Sequence, residues 1–241
     1  MSELPGGPAA ERATEPVDGP TNDTTSDPAR RAAAAVRAAG HLLAGRELDD
    51  EQLGRLAGLL EGWSDEVSTA PVRDKRTYMA GRGGLARFML TGEVQPPPPD
   101  GSVLSFDELS FIGGPSSGMS MGFTYRREGD EAVAETSFGR AFEGPPERVH
   151  GGAVAAAIDE SMSQILLLVG QPAYTVQLSI AFRAAAPLDQ PVRFRSRLVR
   201  REGRKLFITC EGSSAEGVFA EAEGLFILAP APDPLPVPPA G

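Results

Sequence analysis

Four residues in the second half of the chain have the types and spacing of a hydrolytic centre: His150-Gly151-Gly152, and Asp159 nine residues after the histidine. The segment Gly152 to Val169 is apolar nearly all round, the composition of a helix wrapped by other structure. A helix begun at Gly151-Gly152 leaves its first backbone N–H groups pointing outward, with the positive end of the helix dipole behind them and no Cβ in the way of a ligand carbonyl. Such donors can stabilise a developing oxyanion. At 100° per residue, Gly152 and Asp159 fall within roughly 20° of each other about the helix axis, about 10 Å apart along it. Ala155, Ala156 and Met162 lie one turn from Asp159 and Leu166 two turns away, an apolar setting in which a carboxylate is costly unless something uses it. Desolvation there would raise its pKa toward neutrality, where a general base works best. An electrophile-polarising helix end with an acid/base or nucleophilic carboxylate two turns along fits acyl-group hydrolysis. The same residues also admit a structural reading: Gly-Gly as a tight turn, His150 as a cap or packing residue, and Asp159 as a hydrogen-bonder, since a buried helical carboxylate marks a site only statistically.

The elements that must position these residues follow from periodicity. Met119 to Tyr125 and Glu131 to Phe138 are expected as strands, with Arg126 to Asp130 as the hairpin loop between them. After the loop Gly144 to Arg148 and the helix come four more expected strands, Tyr174 to Phe182, Val192 to Arg201, Lys205 to Ser213 and Val218 to Leu228. One long helix beside six antiparallel strands is an α+β layout. Further upstream, Ala29 to about Ala44 is alanine-rich behind a cap-like Asp27-Pro28. A second helix is expected where Asp49, Asp50 and Glu51 precede Leu53, Leu56, Leu59, Leu60 and Trp63 at helical spacing. An irregular stretch through Arg76, Tyr78, Gly81, Gly83 and Gly84 then runs to Pro96-Pro97-Pro98-Pro99, a stiff segment taken as a boundary. The expected domains are therefore a disordered tail (1–28), a helical extension with a Pro-rich linker (29–100), the α+β domain (101–230) and a Pro-rich disordered tail (231–241).

Composition narrows the chemistry. A net charge of −10 over 241 residues argues against a nucleic-acid surface. One cysteine, Cys210, and two histidines, His41 and His150, rule against a disulfide framework or a zinc site, so no metal and no cofactor is expected, and the reducing cytoplasm is the natural compartment. The N-terminus lacks the basic start and apolar stretch of a secretion signal, and the longest apolar run, Ile165 to Val169, falls short of the roughly 20 residues that span a bilayer, so no membrane insertion is expected.

The run Gly144-Pro145-Pro146-Glu147-Arg148-Val149-His150-Gly151-Gly152, then Asp159, then Thr175 to Phe182, a Pro187 turn and a Val192 strand, resembles the PaaI-like and THEM4-like hotdog acyl-CoA thioesterases over residues 117 to 230. The resemblance implies a hotdog fold, a long central helix wrapped by a curved antiparallel sheet, here with an N-terminal helical extension. It implies a homodimer, or two dimers paired as a homotetramer, with acyl-CoA bound at the subunit interface and coenzyme A entering only as part of the substrate. It further implies that the Gly151 N–H polarises the thioester carbonyl, that Asp159 of the partner protomer activates water or attacks directly, that Thr175 positions that water, and that His150 shapes the loop. Substrate-binding candidates are Gly152, Glu143, Ser163, Arg183, Arg193 and Arg195.

Two departures from the family pattern bear on activity. Glu143 stands where related enzymes carry Asn or Gln, and a carboxylate there opposes an oxyanion unless protonated or turned away. Ala184-Ala185 stand where Arg or Lys followed by Pro is common, with Arg183 one position early and so on the other strand face. The basic run Arg193, Arg195, Arg197, Arg200, Arg201, Arg204 and Lys205 could hold the phosphates of coenzyme A or be a solvated strand face. In either case Arg193, Arg195 and Arg197 share one face, away from the core. Gly114 to Gly118 matches G-x-S-x-G but lacks the strand–helix context of a nucleophile elbow, and Cys210 sits in an alternating strand as a small hydrophobe. The alternative to an acyl-CoA thioesterase is a catalytically idle hotdog module that binds acyl-CoA or dimerises as a scaffold.

Overall fold

A computed structural model describes residues 27–75, 77–78 and 84–231. The tails expected to lack order lie almost wholly outside these residues, as do Arg76, Gly81 and Gly83. Helix α1 (Pro28–Gly45) starts where expected: Asp27 caps it, its side chain accepting the Ala29 N–H at 2.9 Å, with Pro28 at the first helical position. Helix α2 (Asp50–Val67) opens with a capping box in which Asp49 accepts the Gln52 N–H and the Gln52 side chain accepts the Asp49 N–H. None of its residues is buried, and Leu59 and Trp63 of its apolar stripe are exposed. The stretch read as irregular contains a short helix, α3 (Ala86–Thr91), which buries Phe88. The Pro-rich segment that follows is tied to the central helix, with the Gln95 N–H donating to the Gly170 carbonyl at 3.1 Å.

Six antiparallel strands follow: β1 (Thr124–Glu128), β2 (Glu131–Ser137), β3 (Ala173–Phe182), β4 (Pro191–Glu202), β5 (Lys205–Ser214) and β6 (Gly217–Leu228). They lie in the spatial order β1-β2-β4-β5-β6-β3, so β1 and β3 are the edges. Strand β1 is shifted from its expected place. Arg126 to Glu128 belong to the ladder, and the turn is only Gly129-Asp130, with Gly129 at φ 60°, the geometry of a tight two-residue hairpin that glycine adopts freely. The residues before it are drawn off to cover the core: Phe123 is buried and the Met121 N–H donates to the Ile112 carbonyl.

The central helix comes in two pieces, α4 (Gly151–Ser163) and α5 (Ile165–Val169), separated at Gln164, where the hydrogen bonds tighten to three-residue spacing. Helix α4 touches β2, β3, β4, β5 and β6, which is how one sheet wraps one helix in the hotdog manner. Its Val154, Ala157, Ile158 and Met162 meet the inward residues of the strands, above all Phe194, Phe219 and Phe226. Phe194 and Phe219 meet edge-on with ring centroids 5.7 Å apart. Cys210 is buried in this core, which pushes its thiol up to about 12, so it packs as a hydrophobe.

Candidate active site

The N-terminus of α4 is built by the loop before it. His150 is the N-cap, its Nδ1 accepting the Gly152 N–H at 2.9 Å. An added Cβ at Gly152 would fall 3.0 Å from that nitrogen, so the second glycine makes room for the cap. The amide of Gly152, a substrate-binding candidate from the sequence, is thus already engaged by His150. No described residue accepts from the Gly151 N–H. Gly151 borders a cleft of about 310 Å³ lined also by Arg148, Val149, Val154, Phe182 and Arg183, among others. Of the two glycines, Gly151 is thus the one with a donor to offer a carbonyl.

Asp159 lies two turns along, half-buried, and its Oδ1 accepts the Thr175 hydroxyl at 2.9 Å. A β-bulge makes this pairing. Thr175 pairs with the inward Phe226, and Leu178 with the inward Gly224; residues three apart in a regular strand would face opposite ways. The register shift between Thr175 and Gln177 inserts Val176 as an extra residue and turns the Thr175 side chain toward the helix. Strict alternation would have pointed it outward with Ser179.

The burial expected of Asp159 falls on its neighbour. Glu160 lies under the loop of residues 105–113, accepting the Ser110 hydroxyl at 2.9 Å, and burial pushes its carboxyl up to about 7, with the charges of Asp107 and Asp159 acting in the same direction and the Ser110 bond and Lys75 opposing. A folded-state pKa above the ordinary carboxylate value means that the native state binds more protons through that window, so stability declines as pH rises from about 4.5 to about 7. Glu160→Gln should therefore raise the thermal midpoint above neutral pH, by about 1–3 kcal/mol of stability, and flatten its pH dependence in that window. An unchanged profile in a thermal scan series would refute this role.

Glu143 is turned away from the helix end. Its carboxylate accepts the Glu147 N–H at 2.6 Å and pairs with Arg140 at 3.1 Å, and these two partners, the amide first, hold it below the usual carboxylate range. The bond to Glu147 supports a residue held at φ 65°, a left-handed conformation costly for any side chain. Glu143 belongs to this loop scaffold rather than to the cleft at Gly151. Glu143→Gln should leave turnover within about threefold, since the amide can still accept from Glu147; a steady-state assay showing a gain or loss of tenfold would place Glu143 in the chemistry.

The other candidates fall elsewhere. The Ser163 hydroxyl donates to the Asp159 backbone carbonyl at 3.0 Å, a bond within its own helix. Arg183 borders the cleft, but its side chain pairs with Glu221 at 2.7 Å on the outer face, as its early position in the strand predicts. Arg193 pairs with Glu135 at 2.7 Å and Arg195 with Glu131 at 2.5 Å, on the sheet face opposite the helix. With Arg126 bridging Glu128 and Glu135, they form a cross-strand charge ladder in which each already has a carboxylate partner, the arrangement of a solvated strand face. Arg148, whose side chain finds no ion-pair partner among the described residues, was not singled out from the sequence although it stands two residues before His150 and lines the Gly151 cleft. Gly114 to Gly118 forms a loop under α1, where Arg37 donates to the Pro115 and Ser117 carbonyls.

Residues 147–220 match the thioesterase superfamily. The chain is 35% identical over 91 residues to the acyl-coenzyme A thioesterase THEM5 of Homo sapiens, 37% of each chain. Over 121 residues it is 33% identical to the acyl-coenzyme A thioesterase THEM4 of Bos taurus, 48% of this chain and 50% of that one. The chain thus matches half or less of the length of these curated relatives. A crystal structure of a thioesterase superfamily protein, 20% identical, superposes with a TM-score of 0.68 over 84% of this chain and 91% of that chain. That share exceeds the sheet and central helix, so the shared fold includes N-terminal helical structure.

Proposed function

We propose, for a chain that carries a thioesterase-superfamily domain across residues 147–220, that it hydrolyses acyl-CoA thioesters to free acid and coenzyme A at sites shared between two copies of itself. The observation that carries this reading is the unoccupied N–H of Gly151, a residue at the capped start of α4 that borders a cleft. The thioester carbonyl accepts that hydrogen bond, which strengthens as the oxygen gains charge in the tetrahedral intermediate. Asp159, oriented by the Thr175 hydroxyl, either takes a proton from the attacking water or attacks the carbonyl itself.

Gly151 and Asp159 of one helix are eight residues apart, about 12 Å of rise, too far to act on one carbonyl. A second copy related by a two-fold axis supplies the missing half, bringing its Asp159 to this Gly151. The sheet supports such pairing: β3, which carries Thr175, is an edge strand with Tyr174, Val176 and Phe182 exposed. With Arg193, Arg195 and Arg183 each paired to a carboxylate, Arg148 at the cleft is the cation placed to meet the phosphates of coenzyme A. A reducing, cytoplasmic setting suits the lone buried Cys210.

Free-thiol release from short, medium and aryl acyl-CoAs tests the reading, with the matching acyl-pantetheines alongside. Turnover of at least one acyl-CoA, with the pantetheine analogue poorer through a raised KM, is expected. No thiol release from any substrate would favour a binding module instead, a reading that the outward-turned Glu143 no longer recommends.

A further inference from the structure

We infer that His41, on the N-terminal helix α1, is a positioning residue for the Gly151 amide, acting through the 3-10 turn Arg140–Phe142; the inference rests on the reading of Gly151 as the carbonyl-polarising donor. Helix α1 rests on that turn. His41 Nδ1 accepts the Ala141 N–H at 3.2 Å, and its ring meets the ring of Phe142 edge-on, with centroids 5.3 Å apart. The fit is close on both sides: an added Cβ at Gly139 would lie 2.7 Å from His41 Nδ1, and one at Gly45 would lie 2.9 Å from the Arg140 Cβ.

Phe142 carries the connection onward in two ways. Its ring packs edge-on against the fully buried Phe138, with centroids 5.9 Å apart. Its carbonyl accepts the His150 N–H at 2.8 Å, and the loop between is closed by pairing of Glu143 with Val149. His150 in turn caps α4 and leads directly into the peptide that bears the Gly151 N–H. Two hydrogen-bonded or packed steps and one peptide bond therefore join the N-terminal helix to the donor: His41 to Ala141 and Phe142, Phe142 to His150, and His150 to Gly151.

The rest of α1 is anchored elsewhere, by Arg37 on the Pro115 and Ser117 carbonyls and by Arg30 on Glu108. These contacts hold the helix without touching the turn. Ala141 is exposed, so water can replace the His41 bond at little cost in stability. What water cannot supply is a fixed position for the turn, and an oxyanion donor displaced by a fraction of an ångström loses much of its effect.

The test uses the full chain with His41→Ala, His41→Asn and Arg37→Ala, measuring steady-state hydrolysis of an acyl-CoA, thermal midpoint, and amide hydrogen exchange at His150. His41→Ala should lower kcat about tenfold with KM within about twofold, and speed exchange of the His150 amide. His41→Asn, whose Oδ1 stands near the place of Nδ1, should restore most of both. Arg37→Ala should lower the thermal midpoint and leave kcat alone. Wild-type kcat and exchange in His41→Ala would overturn the inference. So would a loss of kcat that tracks the midpoint in His41→Ala and Arg37→Ala alike and is not rescued by asparagine. If the wild-type protein hydrolyses no thioester, the catalytic reading fails by itself, and the His150 exchange rate in His41→Ala still decides whether the latch exists.

Discussion

Gly151→Pro should cut thioester turnover by about 10²–10³-fold while leaving the fold in place, the loss expected for one oxyanion donor. The substitution is unusually clean here. Gly151 is the first residue of α4, the one helical position where proline is favoured because its N–H has no helical partner to lose. His150 before it sits at φ −60°, ψ 133°, the extended conformation that a following proline requires. Gly151→Ala is the matching control, since its Cβ would stand 3.6 Å from the Phe182 ring, an ordinary contact, and the N–H is retained. Steady-state kinetics with thermal midpoints read the result: a dead proline variant that melts near wild type beside an active alanine variant identifies the amide. An active proline variant would remove Gly151 from the mechanism.

Asp159→Asn should lower kcat by about 10²–10⁴-fold, the contribution of a positioned base or more if Asp159 is the nucleophile. The asparagine Oδ1 can still accept the Thr175 hydroxyl, so shape and the bulge persist while the capacity to take a proton or form an acyl intermediate is lost. KM should change little, because the carboxylate acts on the water or the carbonyl carbon rather than on ground-state binding. Equal turnover by both proteins would sink the assignment of Asp159. Thr175→Val should show a smaller kcat defect of the same kind, since it frees the carboxylate without removing it.

Periodicity located the central helix and most of the sheet, because alternation in β4 (Val192, Phe194 and Ser196 in; Arg193, Arg195 and Arg197 out) and an apolar run ending at Val169 leave few other solutions. It misplaced β1, since Met119 to Phe123 have strand composition but are recruited to cover the core, and the two-residue Gly129-Asp130 turn was hidden inside a longer polar stretch. The site was legible as far as its residue types. His150-Gly151-Gly152 and Asp159 were found by spacing, and the structure divides the two glycines, giving one amide to His150 and leaving the other open. Three features could not be read from order alone. The bulge at Val176, which decides where Thr175 points, depends on register with β6. The burial of Glu160 rather than Asp159 depends on which helix face the loop of residues 105–113 covers. The ion pairs of Arg193 and Arg195 depend on β2 lying beside β4, a neighbour relation that skips the central helix in sequence.

A shared site, composed of Gly151 from one protomer and Asp159 from another, should be restored by mixing two damaged chains. The inactive Gly151→Pro and Asp159→Asn proteins are co-folded in equal amounts and thiol release is measured from an acyl-CoA turned over by the wild type, with differently tagged chains to verify mixed dimers. Each mixed dimer would hold one intact site and one doubly damaged site, so activity should return to about a quarter of wild type. A verified mixed population no more active than its two parents would contradict a shared site.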